Sequence, residues 1–231
     1  MSIEVKDISK QYGSQKALDH VSFSIPKGQI CGFLGPNGAG KSTMMKILTG
    51  YIPPTSGSAL ICDIDVLSQP MEVKKNIGYL PEHNPLYLEM YVREFLLFLA
   101  QLHKVPKQWV EEVILKTGLT TEAHKKISAL SKGYRQRVGL AHSMLHNPSV
   151  LILDEPTTGL DPNQIVEIRN LIKELGKDKT VLLSTHIMQE VEILCDRVLI
   201  LNKGKIVADS TPTELKKEGK NLEEVFQLLT R

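Results

Sequence analysis

Short apolar runs alternate along the chain with stretches whose apolar residues recur at helical spacing. Residues 29–34 (QICGFL) read as a buried strand that stops at Gly35, and residues 41–48 read as a helix ended near Gly50. Residues 150–153 form a second buried-strand pattern. Residues 161–175 form a helix with Asp161 as N-cap, Pro162 at the first helical position and Gly176 as stop. A third strand over 180–185 is followed by a helix from about Met188 to Cys195. Strands alternating with helices predict a mostly parallel sheet covered on both faces.

Two regions depart from that rhythm. Residues 1–30 and about 57–80 are strand-like and turn-rich, which predicts an antiparallel patch beside the main sheet. Residues 92–146 carry three long helical patterns (VREFLLFLAQLH, VEEVILKTG, YRQRVGLAHSML) and no strand pattern, which predicts an inserted helical subdomain. Near the end, residues 197–208 read as a hairpin turning at 202–204, and Thr211-Pro212-Thr213-Glu214 reads as a capping box. The expected division is a core of 1–84 with 147–231 and a helical subdomain of 85–146.

Composition narrows the function classes. With 42% hydrophobic and 23% charged residues, the chain is an ordinary globular one, long enough to bury a large core. A formal net charge of +2 lacks the basic bias of a nucleic-acid or anionic-membrane footprint, so no nucleic-acid partner is expected. Cys31, Cys62 and Cys195 are odd in number, far apart and set among apolar neighbours, the pattern of free buried thiols in a reducing compartment. The N-terminus lacks the basic-then-apolar design of a signal peptide, and the apolar run 95–100 is far short of the ~18 residues of a membrane-spanning helix. A cytoplasmic protein is expected, with any membrane role exerted through a partner.

The chemistry lies in Gly35-Pro36-Asn37-Gly38-Ala39-Gly40-Lys41-Ser42, with Thr43 next, between a strand and a helix. Phosphate oxygens need several backbone N–H groups aimed into one concavity, and a glycine-rich chain bends that tightly. The helix beginning near Lys41 adds its N-terminal donors and positive dipole end. Lys41 supplies a point charge for the β- and γ-phosphates of ATP, and the Ser42 hydroxyl can ligate magnesium. A chain of this length matches the pattern by accident roughly 1% of the time. Further on, the strand 150–153 ends in Asp154-Glu155, where Asp154 can hold magnesium through water and Glu155 can polarise an attacking water.

Leu130-Ser131-Lys132-Gly133-Tyr134-Arg135-Gln136-Arg137 then resembles the LSGGQ signature of ABC-type ATPases. The resemblance covers essentially the whole chain in the family's order: residues 35–43 for the Walker A loop, 150–155 for Walker B, 158–161 for the D-loop and 183–186 for the H-loop. It implies an α/β P-loop NTPase core with an antiparallel β subdomain and an inserted helical subdomain. It also implies that Tyr12 stacks on adenine, that His186 senses the γ-phosphate, and that Asp161 belongs to the D-loop. Taken alone, Tyr12 could be a surface packing residue, His186 an ordinary turn residue and Asp161 only an N-cap. Ser131 followed by Gly133 and a helical pattern reads as a second anion-binding helix end. In the family that end faces the γ-phosphate held by another subunit, so two chains sandwich two ATP molecules and drive a membrane-spanning permease from the inner face of the membrane.

Two departures stand out. Glu82 occupies the place of the family's usual glutamine, where a carboxylate can still ligate magnesium but adds negative charge. Lys132 and Tyr134 replace glycine and glutamine in the signature, and Lys132 reads most simply as a solvated residue. Gly78-Tyr79-Leu80-Pro81-Glu82 and Leu222-Glu223-Glu224-Val225-Phe226 resemble the ATP-binding subunits of drug, lipid and polysaccharide exporters. Within these, residues 81–87 and 90–94 look similar to subunits associated with gliding motility. A soluble ABC ATPase of cofactor assembly is the alternative. The exporter reading also predicts that Leu86, Tyr87, Leu88, Met90 and Tyr91 line a docking groove for the permease; taken alone, they could equally be the start of the helical subdomain's core.

Overall fold

The structure is a computed structural model that describes residues 1–216 and 221–231. Its spine is a six-stranded sheet in the order β10-β9-β3-β8-β7-β6. The strands are β3 (Ile30–Leu34), β6 (Ile77–Leu80), β7 (Val150–Asp154), β8 (Thr180–Ser184), β9 (Arg197–Asn202) and β10 (Lys205–Ser210). All neighbours pair in parallel except β9 and β10, which form the hairpin expected from the sequence. Every residue of β3, β7 and β8 is buried, as a parallel strand covered on both faces requires.

Alternation along β7 sorts its side chains into two cores. Leu151 and Leu153 join one cluster, while Val150 and Ile152 join the other. The second cluster lies under an antiparallel sheet of order β2-β1-β4-β5 and under helix α1 (Lys41–Leu48). That sheet comprises β1 (Ile3–Tyr12), β2 (Gln15–Ile25), β4 (Ser56–Ile61) and β5 (Ile64–Asp65). The first cluster lies under the remaining long helices: α3 (Val92–Leu102), α4 (Lys107–Lys116), α5 (Lys132–Met144) and α6 (Pro162–Gly176). In α3, Val92, Phe95, Leu96 and Leu99 are buried at the i, i+3, i+4, i+7 spacing of a core-facing stripe.

The antiparallel patch is smaller than the sequence suggests. Residues 77–80 leave it and form the outer parallel strand of the main sheet, beside β7. Gly78 permits this, because a Cβ there would collide with the Ser143 carbonyl of α5 and with Leu151 of β7. Ahead of it stands a helix that the pattern did not reveal, α2 (Pro70–Asn76), which buries only Val73. Three caps are those expected. Asp161 accepts from the Gln164 N–H at 3.0 Å, Ser131 from Tyr134 at 3.3 Å and Thr211 from Glu214 at 3.2 Å. The chain ends in α7 (Met188–Leu194), α8 (Pro212–Leu215) and α9 (Leu222–Thr230). Cys31 and Cys195 are buried free thiols, whereas Cys62 is only half-buried.

Candidate active site

β3 ends at Leu34, and the loop that follows opens a cleft of about 780 Å³ at the carboxyl ends of the parallel strands. Gly35, Pro36, Asn37, Gly38, Gly40, Lys41, Ser42 and Thr43 line its floor. α1 starts on Gly40 at φ 111° with no side-chain cap, so the helix end keeps its first donors for an anion. Ala39 sits behind the loop. Its side chain is buried at 3% exposure, its N–H donates to the Pro36 carbonyl at 3.1 Å, and its own carbonyl accepts from Gly204.

Lys41 folds back along the loop and donates to the carbonyls of Gly35 at 2.6 Å and Pro36 at 3.2 Å. Burial lowers its pKa, and the carboxylates of Glu155, Asp154 and Glu82 work against that shift. A partly buried cation thus stands among three acids.

The acids come from strand ends. Asp154 closes β7, is 3% exposed and accepts from Ser184 Oγ at the end of β8. Glu155 follows with φ 53°, a left-handed conformation held by its N–H donating to Ser184 Oγ at 3.0 Å. Its carboxylate is oriented by His186 Nδ1 at 2.9 Å and Thr158 Oγ1 at 3.3 Å. Glu82 lines the cleft from the loop after β6. Tyr12, half exposed at the end of β1, lines the opposite wall with Gln15 and Ala17, and Lys10 lies over its ring at 5.1 Å.

Besides Ala39, three residues singled out from the sequence do not line this cleft. Ser131 and Gly133 begin α5 and Asp161 caps α6, and the two helix starts are packed on each other. A Cβ on Gly133 would meet Gln164 Oε1 and, at 3.1 Å, Leu160. Lys132 is exposed, and its stem lies along Gly159 rather than extending freely into solvent. Conversely, Gln15, Ala17, Thr158 and Phe226 line the cleft without having been picked out. Thr158 lies inside the D-loop stretch, Ser184 inside the H-loop stretch and Phe226 inside the run 222–226 that resembles exporter subunits, whereas Gln15 and Ala17 carry no local signal.

α5 is tied to Glu155 as well. Gln136 Nε2 donates to the Glu155 carbonyl at 3.3 Å, while Gln136 Oε1 accepts from Asn84 at 2.8 Å.

Residues 18–158 match the family model described as "ABC transporter". The chain belongs to that family. It is therefore an ATP-binding and ATP-hydrolysing subunit, with the ABC ATPase fold. The bacitracin transport ATP-binding protein BcrA of Bacillus licheniformis is 41% identical over 231 residues, a match spanning 98% of this chain and 74% of BcrA. A solved ATP-binding subunit of an ABC transporter superposes with a TM-score of 0.92 at 30% identity, over 100% of both chains. The cassette MJ0796, solved as a dimer in a post-hydrolysis state with ADP and Pi, superposes with a TM-score of 0.83 at 25% identity over 90% of this chain and 98% of that one.

On this ABC cassette, residues 85–91 divide in two. Leu86 and Met90 pack against the core, whereas Tyr87, Leu88 and Tyr91 are exposed. Tyr87 lies edge-on to Phe95 and Phe98, and Phe98 is itself 45% exposed, so the apolar patch continues onto α3. Among the described residues, no helix is long and apolar enough to cross a membrane.

Proposed function

We propose that the chain is the motor subunit of a membrane exporter, working as an ATP-closed dimer on the cytoplasmic face of the membrane. The observation that carries this is the division of the site. The phosphate loop and Glu155 lie in one cleft, while Ser131 and Gly133 at the start of α5 and the Asp161 cap are not among the residues that line it. A second copy supplies the missing wall, its Ser131 helix end set against the γ-phosphate. The export assignment draws on residues 78–82 and 222–226 and on the likeness to the bacitracin transport subunit. Gliding motility is the narrower form of the proposal and rests on residues 81–94 alone. Tyr87, Leu88, Tyr91 and Phe98 form the surface offered to the permease. We take residues 1–84 with 147–231 as the core and 85–146 as the subdomain that moves against it.

The chemistry follows from positions in the cleft. Loop amides and the start of α1 bind the β- and γ-phosphates, and Lys41 exchanges two neutral carbonyls for phosphate oxygens. Ser42, Asp154 and Glu82 present hard oxygen donors, a set that fits magnesium with phosphate and water completing its shell. Bound there, magnesium would supply charge neutralisation at the β- and γ-oxygens. Glu155 accepts a proton from water as the new P–O bond forms and the β,γ-bridging bond breaks, releasing ADP and phosphate. His186 and Thr158 hold the Glu155 carboxylate in place, and Tyr12 offers its ring to the adenine.

Glu155→Gln tests the reading. It keeps the shape of the side chain and removes the base, so turnover should fall by about 10²–10⁴-fold with ATP affinity retained. The variant should elute as a dimer in ATP and as a monomer without it. Unchanged hydrolysis would remove Glu155 as the base, and a monomer at saturating ATP would remove the two-chain site.

A further inference from the structure

We propose that Phe226, on the C-terminal helix α9, contacts the base and ribose of bound nucleotide and makes that helix part of the ATP site. Phe226 lies far along the chain from every other residue of the cleft, yet its ring lines the same cavity as Tyr12 and Lys41. The helix that carries it is capped at its own start and tied to the fold at two further points. Asn221 and Glu224 form a reciprocal capping box, with bonds of 2.8 and 3.0 Å. Leu222 is 1% exposed in the core. Asn202 Nδ2, at the end of β9, donates to the Leu229 carbonyl at 3.2 Å.

That last bond decides which end of the cleft Phe226 serves. β9 runs beside β3, and its Leu201 carbonyl presses on Gly35 closely enough to exclude a side chain there. The turn after Asn202 brings Gly204 against Ala17, and the Gly204 carbonyl accepts from Asp19 at 2.9 Å. α9 is therefore pinned where the phosphate loop meets the wall of Tyr12, Gln15 and Ala17. Lys41, Ser42, Thr43, Glu82, Asp154 and Glu155 make the phosphate-loop end of the cleft charged or hydroxylated, suited to phosphate and metal. An aromatic ring beside the Tyr12 wall matches the apolar part of the ligand, and one from the main-sheet side complements Tyr12 from the antiparallel sheet. Phe226 also lies on the core-facing stripe of α9 with Leu222 and Leu229, so a purely structural role must be separated by experiment.

The separation uses two ligands that share phosphates and differ in the base. Binding of ATP and of inorganic tripolyphosphate is measured calorimetrically on the full chain with magnesium. Phe226→Ala should weaken ATP about tenfold, within the range of lost aromatic stacking, and leave tripolyphosphate unchanged. Equal losses for both ligands would mean that the substitution only disturbs the loop, and no loss for either would remove the contact; both results overturn the proposal. Phe226→Trp in a Trp109→Phe background covers the case in which alanine fails to fold. Its emission should change saturably with ATP and stay level with tripolyphosphate; emission that stays flat while ATP binds overturns the proposal. Lys41→Ala is the control for the site itself, since it should weaken both ligands. If it weakens neither, the phosphate-loop assignment fails independently of Phe226.

Discussion

Alanine at Gly40 and at Gly38 separates two physical costs within one phosphate loop. Gly38 has φ 78°, and a Cβ there would find nothing within 4 Å. Its substitution adds only the left-handed penalty of an L-residue, about 1–2 kcal/mol, offset by about 0.4–1 kcal/mol from a stiffer unfolded chain. The net loss should be about 1 kcal/mol or less. Gly40 has φ 111°, and its Cβ would lie 2.4 Å from the Ala17 carbonyl oxygen and 2.9 Å from Leu18 Cδ2. The strain there is about 1–3 kcal/mol, and forcing β2 away adds an overpacking cost of about 1–3 kcal/mol. After the unfolded-state offset, Gly40→Ala should cost about 3 kcal/mol. Because Ala17 is also a wall of the cleft, the same variant should lose more ATP affinity than Gly38→Ala. Urea unfolding of nucleotide-free protein, followed by circular dichroism and by Trp109 fluorescence, measures the first quantity; calorimetric titration with ATP measures the second. Equal destabilisation by the two substitutions would refute the reasoning, since only the approach of β2 and the more extreme φ distinguish them.

Acid should destabilise the fold through His142, which is half-buried beside His146 and the exposed His103. Burial, with His103 and His146 beside it, pushes His142 down to about 4. The unfolded chain then binds a proton that the folded chain refuses, so stability is complete above about pH 6.5 and falls as pH drops towards 4. Between pH 7 and pH 5 the loss is about 2 kcal/mol from this group, and His142→Gln should flatten that part of the urea-midpoint profile. An identical slope in the variant would assign the acid sensitivity elsewhere. At the proposed permease surface, Tyr87→Ala with Tyr91→Ala should abolish co-purification with the cognate membrane subunit and leave ATP affinity within about twofold. Undiminished complex formation would sink the docking assignment.

Much of this molecule is readable from its residues because burial on both faces leaves a plain mark. The runs 150–154 and 180–184 are apolar almost throughout, and the Asp161-Pro162 pair announces a helix start by its chemistry. Residues 77–80 mislead because Ile-Gly-Tyr-Leu fits an antiparallel strand as well as a parallel edge. What selects the outcome is the space Gly78 leaves for α5, a packing fact distant in the chain. α2 escapes notice because one buried valine in seven residues makes no stripe. The site shows the same limit. The phosphate loop and Asp154-Glu155 are local motifs, but Ser184 gains its place only when β8 is laid beside β7. Phe226 stands in the run 222–226 that resembles exporter subunits, but its place at the site emerges only when α9 is folded back onto β9.

In the proposed two-chain site, the hydrogen bonds of α5 would couple the two halves. Asn84 follows Glu82 in the loop after β6 and donates to Gln136; Gln136 donates to the backbone of Glu155. The segment bearing Glu82, the helix that begins at Ser131, and the strand end that holds Glu155 are thus joined by consecutive bonds. Gly133 and Gln164 lock the same helix against the Asp161 cap. In the proposed dimer, a chain holds one ATP with its loop and acids and another with its Ser131 helix end. A displacement of α5 demanded by the second nucleotide is then felt at Glu155 beside the first. The loop after β6 leads directly to Tyr87 and Tyr91, so the same chain of bonds reaches the surface proposed for the permease. Replacing the family's usual glutamine by Glu82 leaves this route intact, because the bonds that carry it are made by Asn84 and Gln136.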